Sequence, residues 1–128
     1  MTGIHLADDI LLLGRDDMDE THRSFVELVN KASGATGQDF AEAFAELVAH
    51  TKEHFAHEEA LMVESDFPAI GEHKADHARV LGDLDRFSER VAKGRWQFAK
   101  AYVTDQVPGW FQLHLITMDQ ALASHLAS

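Results

Sequence analysis

The chain has no cysteine, two prolines, one tyrosine, and only eleven Lys and Arg against twenty-two Asp and Glu. Without cysteine there is no disulfide, no thiolate zinc site and no iron–sulfur cluster. Two prolines and eight glycines in 128 residues force few interruptions, and plentiful Ala, Leu, Glu and Asp favour helices over strands. A formal net charge of −11 leaves no basic surface of the kind that nucleic acid or an anionic membrane requires. No apolar run approaches the length of about 20 residues that a membrane span needs. The start, Met1 to Arg15, has one apolar stretch (Ile10 to Leu13) but carries Asp8 and Asp9 and no basic region, so it does not read as a signal peptide. These absences predict a soluble cytoplasmic protein with neither nucleic acid nor membrane as partner. A hydrophobic content of 45% in 128 residues is enough for one domain with a real core.

Four stretches carry helical periodicity. The first runs from about Asp17 to Lys31, with Asp16, Asp17 and Asp19 suited to its N-terminus and His22, Phe25, Val26 and Val29 on one face. The second runs from about Asp39 to Glu64, with Asp39 and Glu42 placed like a capping box. Its inner stripe is Phe40, Phe44, Leu47, Thr51, His54, Glu58 and Leu61. After the turn Ser65-Asp66-Phe67-Pro68, the third runs from about Ala69 to Lys93 with the stripe Ile70, His73, His77, Val80, Leu84, Phe87 and Val91. Gly94 suits its C-terminus. The fourth covers about Trp96 to Leu126 with Pro108 inside it, which predicts a kink or break near Thr104 to Val107. Beyond that break the expected inward stripe is Trp110, His114, Thr117 and Ala121. The fold expected is all-α: an antiparallel up-down-up-down four-helix bundle over residues 16–128, with a short N-terminal arm at 1–15.

On those stripes, among Leu, Val, Phe and Ile, sit residues that are costly to bury alone: His22, then His54 and Glu58, then His73 and His77, then His114; Asp119, off the fourth stripe, is the seventh potential ligand. Residues i and i+4 project from one face, so His54 with Glu58, and His73 with His77, can each address one site. Asp119, five residues after His114, falls roughly 140° away on a regular helix, which requires either two ions or a local distortion of the helix. Two carboxylates bridging two ions, with a bridging water-derived oxygen, leave five imidazoles to divide three and two. One ion is then closed and the other keeps a vacancy suited to a small diatomic ligand. Trp110, Phe111, Phe55, Leu61 and Ile116 are placed to wall an apolar pocket beside that vacancy.

D-x-x-H (Asp19, His22), H-F-x-x-E-E-x-L-M (His54 to Met62), H-x-x-x-H (His73, His77) and W-x-x-x-H-x-x-x-x-D (Trp110, His114, Asp119) together resemble the hemerythrins, especially stand-alone bacterial ones, over about residues 16–120. The resemblance implies a non-haem di-iron centre with an oxo or hydroxo bridge that binds dioxygen reversibly, for storage, delivery or sensing. It implies that His73, His77 and His114 serve the closed iron, His22 and His54 the open one, and that Glu58 and Asp119 bridge. The chain departs from the family in having His5 and an Ile-Leu-rich arm where an aromatic residue is usual. It also has His50 where many members have Tyr, a change that bears on the polarity of the pocket and makes His50 a candidate, no more, for orienting a ligand or bordering the pocket. His5, His57 and His125 are expected to be solvated, and Glu59 to lie on the surface.

An oxygen-binding protein is favoured over an enzyme. The alternative is a di-iron redox enzyme acting on peroxide or nitric oxide, or an iron-handling protein. Carboxylate-rich di-iron oxidases use paired E-x-x-H motifs, and the chain has none.

Overall fold

The computed structural model describes residues 12–128 and contains helices α1 (Asp16–Ser33), α2 (Gly37–Glu64), α3 (Ile70–Ala92), α4 (Trp96–Asp105), α5 (Val107–His114) and α6 (Gln120–Ala127). A π-helical turn, Leu115–Asp119, joins α5 to α6, so α4 to α6 form the fourth rod of a four-helix bundle. Most of the N-terminal arm, His5 included, lies outside the described residues. Its last part is tied down, because the Leu13 N–H donates to the buried Asp19 carboxylate at 2.8 Å.

Local chemistry sets the ends of these helices. Asp16, Asp17 and Asp19 stand in the first turn of α1, where negative charge complements the helix dipole. The capping box expected at Asp39 and Glu42 does not form. Helix α2 starts earlier, at Gly37, after Thr36 in extended conformation and without a side-chain cap. Gly37 adopts φ +57°, a left-handed conformation that costs glycine little, so the chain turns before the predicted cap. Helix α3 ends in a Schellman motif, with Gly94 at φ +79°, its N–H on the Val91 carbonyl and the Arg95 N–H on that of Arg90, both at 2.9 Å.

In the fourth rod the break falls at Gln106, inside the expected interval, and Pro108 sits at the start of α5, where its missing N–H costs least. The distortion that matters for Asp119 lies further on, in the π turn. There the hydrogen bonds reach five residues back, so one extra residue is accommodated in the turn. Asp119 therefore stands above His114 as an i+4 residue would on a regular helix. The same extra residue overturns the expected stripe: Thr117 and Ala121 are exposed, while Leu115, Asp119, Leu122 and Ala123 face inward.

Two apolar clusters fill the bundle, one around Phe25, Phe40, Phe44, Phe55, Val80 and Phe111, the other around Met18, Met62, Phe67 and Leu122. Along α1 the chain passes from the smaller cluster (Met18) through His22 to the larger (Phe25). Along α2 the order reverses: Phe55, Glu58, Met62. Along α3 and the fourth rod it alternates again, with His73 and His77 before Val80, and Asp119 between Leu115 and Leu122. This alternation is what an up-down-up-down bundle requires. It places one polar layer across all four rods, between two dry ones. Among the described residues, no helix is long and apolar enough to cross a membrane.

Candidate metal centre

Seven of the ten buried polar or charged residues among those described form that layer: His22, His54, Glu58, His73, His77, His114 and Asp119, each at most 3% exposed. Glu58 stands at the centre. Its Oε2 lies 2.7 Å from His54 Nε2 and 3.3 Å from His22 Nε2, while Oε1 lies 3.2 Å from His77 Nε2 and 3.3 Å from His73 Nε2. Asp119 repeats the arrangement from the π turn. Its Oδ1 is 3.1 Å from both His73 Nε2 and His114 Nε2, and its Oδ2 is 3.1 Å from His22 Nε2. One oxygen of each carboxylate thus faces imidazoles from α3 and the fourth rod, and the other faces α1 and α2.

The donor atoms sort into two groups, Glu58, His73, His77, His114 and Asp119 in one, and His22, His54, Glu58 and Asp119 in the other, with the ligand atoms of each within 4.8 Å of one another. Each group could hold a metal ion. The Nε2 atoms of His73, His77 and His114, Glu58 Oε1 and both Asp119 oxygens are buried without a properly formed hydrogen bond. Buried polar atoms left in that state are rare. Here the atoms converge on shared points, as the ligands of a cation do, so the donor set fits a metal.

Protons hold the layer together in the metal-free chain. Burial disfavours the charged form of His22 and His73, but the adjacent Asp119 and Glu58 carboxylates outweigh it and raise both imidazoles to about 9. Burial likewise works against the Glu58 and Asp119 carboxylates, yet the surrounding imidazoles hold both below the usual carboxylate range. The stability that the raised His22 and His73 contribute is fully present below the ordinary value of 6.5 and is lost as pH rises through about 9. The metal-free protein is expected to lose on the order of 3 kcal/mol for each of the two imidazoles across that window. Denaturant titrations of chelated and metal-loaded protein at pH 6 and pH 9 check this, the loaded form showing the smaller change.

Outside the cluster, two acidic residues hold ligands, and the sequence reading missed both roles. Glu59 is half-buried rather than on the surface, and its Oε2 accepts from His77 Nδ1 at 3.1 Å. Asp76 Oδ2 accepts from His114 Nδ1 at 2.7 Å and from Trp110 Nε1 at 2.9 Å. These donors outweigh partial burial and keep the Asp76 carboxyl below its ordinary range. An imidazole that binds metal through Nε2 carries its proton on Nδ1, and a carboxylate there fixes the ring and raises its basicity. Asp76→Asn and Glu59→Gln are each expected to weaken metal binding about 10- to 100-fold with helix content unchanged, as read by chelator competition.

Aromatic rings surround the layer. Phe55 stacks on His77 with centroids 3.8 Å apart and lies 5.2 Å from His54, and Phe111 meets His22 edge-on at 5.6 Å. Phe25, which the sequence reading placed only on the core face of α1, meets His54 at 5.9 Å and Phe111 at 4.8 Å. Trp110 is half-buried, stacked on His114 at 4.9 Å. Leu61 is half-buried, and Ile116, on the outer side of the π turn, is 54% exposed. His50 donates from Nε2 to the Thr21 carbonyl at 3.3 Å, and its ring centre is 6.0 Å from that of His54. His57 is exposed and paired with Asp17, as a solvated residue can be. His125 is not solvated: half-buried, it donates to the Ser65 carbonyl at 2.8 Å and ties α6 to the α2–α3 turn.

A helical bundle with a buried layer of five histidines and two shared carboxylates defines a class of metal-binding four-helix proteins. Within that class the chain belongs to the hemerythrin family, because residues 13–128 match the hemerythrin HHE cation binding domain. It is 34% identical over 119 residues to a bacteriohemerythrin of Ralstonia nicotianae, covering 93% of this chain and 86% of that one. It is 33% identical over 127 residues to a bacteriohemerythrin of Stenotrophomonas maltophilia, covering 92% and 78%. A myohemerythrin of Riftia pachyptila is 28% identical over 105 residues, covering 82% and 86%. In fold, the chain is similar to the crystal structure of a wild-type hemerythrin, with a TM-score of 0.78 over 88% of this chain and 89% of that one at 22% identity.

Proposed function

We propose that the layer is a di-iron centre that binds dioxygen, or another small diatomic, reversibly at the iron served by His22 and His54. The observation that carries this reading is the unequal division of five histidines about two shared carboxylates, each turning one oxygen toward a three-histidine group and the other toward a two-histidine group. With equal contributions from Glu58 and Asp119, the two-histidine side is one protein ligand short, and that is where an outside ligand fits. Iron held by these seven residues would supply the electrons for reversible binding of dioxygen.

The chain's own residues serve that chemistry by holding geometry and excluding water. Glu58 and Asp119 fix the distance between the two groups. Glu59 and Asp76 stiffen His77 and His114, so the three-histidine side is the rigid one. Phe25, Phe55 and Phe111 make the His22–His54 side dry, which denies protons to a bound reduced ligand and slows its loss to water. Imidazole-rich coordination favours the ferrous state more than a carboxylate-rich set does, which suits release as well as binding. Storage, delivery and sensing all draw on this property.

The test is to load the protein with iron, reduce it without air, and record visible absorption while alternating oxygen and vacuum. Two irons per chain, with a colour that appears under oxygen and fades under vacuum over many cycles, is the expected result. A permanent ferric spectrum after one exposure, or sustained turnover of peroxide or nitric oxide, would replace the binding role with a redox enzyme.

A further inference from the structure

Among the five imidazoles of the layer, His73 combines a buried Nδ1 that lacks a hydrogen-bond partner with a place in an apolar cleft. The cleft, of about 220 Å³, opens between the α2–α3 turn and the π turn. Phe67, Met118 and Ala121 wall it, and the exposed Glu72 and Thr117 stand at its mouth. Phe67 is buried and meets the His73 ring edge-on at 6.4 Å. The Thr117 hydroxyl donates to the Leu113 carbonyl at 2.6 Å, so its proton is already committed. His77 and His114, the other two imidazoles of the same group, have their Nδ1 atoms held by Glu59 and Asp76. His73 alone of the three has no protein acceptor.

We propose that this cleft is a binding site for a small neutral molecule carrying one hydrogen-bond acceptor on a short apolar body, and that the occupant completes the set of acceptors on the three-histidine group. The inference rests on the metal-centre reading. His73 Nε2 faces Glu58 and Asp119, so a metal there leaves the proton on Nδ1, which makes that atom a donor in search of an acceptor. Phe67, Met118 and Ala121 supply the apolar contact. The Glu72 carboxylate at the mouth, on a chain of net charge −11, selects against an anion. An acceptor on His73 raises the basicity of that ligand, as Glu59 and Asp76 do for the other two. Occupancy of the cleft therefore tunes the closed metal from a position remote from the His22–His54 side.

Zinc-loaded protein labelled with 15N at histidine tests this without reference to oxygen or redox activity. Titration with cyclopentanone is expected to move the His73 Nδ1–H resonance saturably at about 1–10 mM, as suits a ligand of six heavy atoms. Cyclopentanecarboxylate is expected to leave it in place. Ala121→Leu, at an exposed helical position, fills the cleft and is expected to weaken the cyclopentanone effect at least about tenfold while zinc content is unchanged. If zinc binds and the His73 resonance ignores cyclopentanone, or responds equally in Ala121→Leu, the site holds water at most and the proposal falls alone. If the chain takes up no metal, the proposal falls together with the metal-centre reading.

Discussion

Replacing Glu58 by glutamine is expected to lower the metal content at least by half, and to destabilise the metal-free protein without changing its fold. Glutamine keeps the volume of the side chain and one oxygen but loses the charge and the symmetric second oxygen. In the wild type both oxygens are engaged, with four imidazoles between 2.7 and 3.3 Å away. An amide offers one carbonyl oxygen to one side, and its NH2 group repels a cation on the other. Without metal, the loss is electrostatic. His22 and His73, raised to about 9, keep their protons in part because Glu58 is ionised beside them. Removing one partner from a buried charged set costs about 3–5 kcal/mol, limited here because the imidazoles can shed their protons. A fall in Tm of about 10 °C at pH 6 follows, shrinking as pH approaches 9, where those protons are leaving the wild type too. Metal analysis and thermal melts at the two pH values check both parts. Full iron content with an unshifted Tm would mean that Glu58 neither holds metal nor balances the imidazole charges of the layer.

The Glu58 argument was legible in the sequence because a carboxylate on a stripe of Phe, Leu and His has no cheap reason to be buried. The same reasoning marked His54, His73, His77 and His114, whereas His22 rested mainly on the resemblance. Asp119 lay off the expected stripe until the π turn brought it inward, and Pro108 gave the break at Gln106 through its missing N–H. Asp76 and Glu59 were harder to see. Each belongs to a set of twenty-two acidic residues, and each lies beside a ligand in sequence, on the flank of the inward stripe. Such a position reads as solvated surface until a neighbouring helix brings an imidazole or indole N–H to it. The signal that could have found them is an acidic residue adjacent to a ligand, Glu59 after Glu58 and Asp76 before His77, where a flank position can reach the ring of another rod. His125 was misjudged for a related reason, since its partner is a backbone carbonyl of a turn, and side-chain patterns do not reveal backbone acceptors.

Inserting one alanine after Thr117 is expected to abolish metal binding by the layer, whereas deleting Thr117 is expected to preserve it. A regular helix turns each residue by about 100°, so a spacing of five between His114 and Asp119 points them apart. The π turn over Leu115–Asp119 absorbs one residue and restores the alignment, which is why Asp119, Leu122 and Ala123 face inward and Thr117 and Ala121 do not. Deleting the exposed Thr117 lets the turn become α-helical with the downstream residues left in place, so Asp119 still meets His73, His114 and His22. The side-chain hydrogen bond that Thr117 gives up is the one from its hydroxyl to the Leu113 carbonyl. An inserted residue has no such outlet, because a second wide turn must form or everything after it rotates. Rotation would carry the fully buried Leu122 toward solvent, at about 2 kcal/mol, and would withdraw Asp119 from both metal groups. Metal content equal to that of the unaltered protein for the deletion and near zero for the insertion, with both variants helical by circular dichroism, is the expected pair of results. Loss of iron in the deletion variant would mean that the wide turn does more than correct the register, holding the Asp119 carboxylate at an angle that a regular helix cannot reproduce.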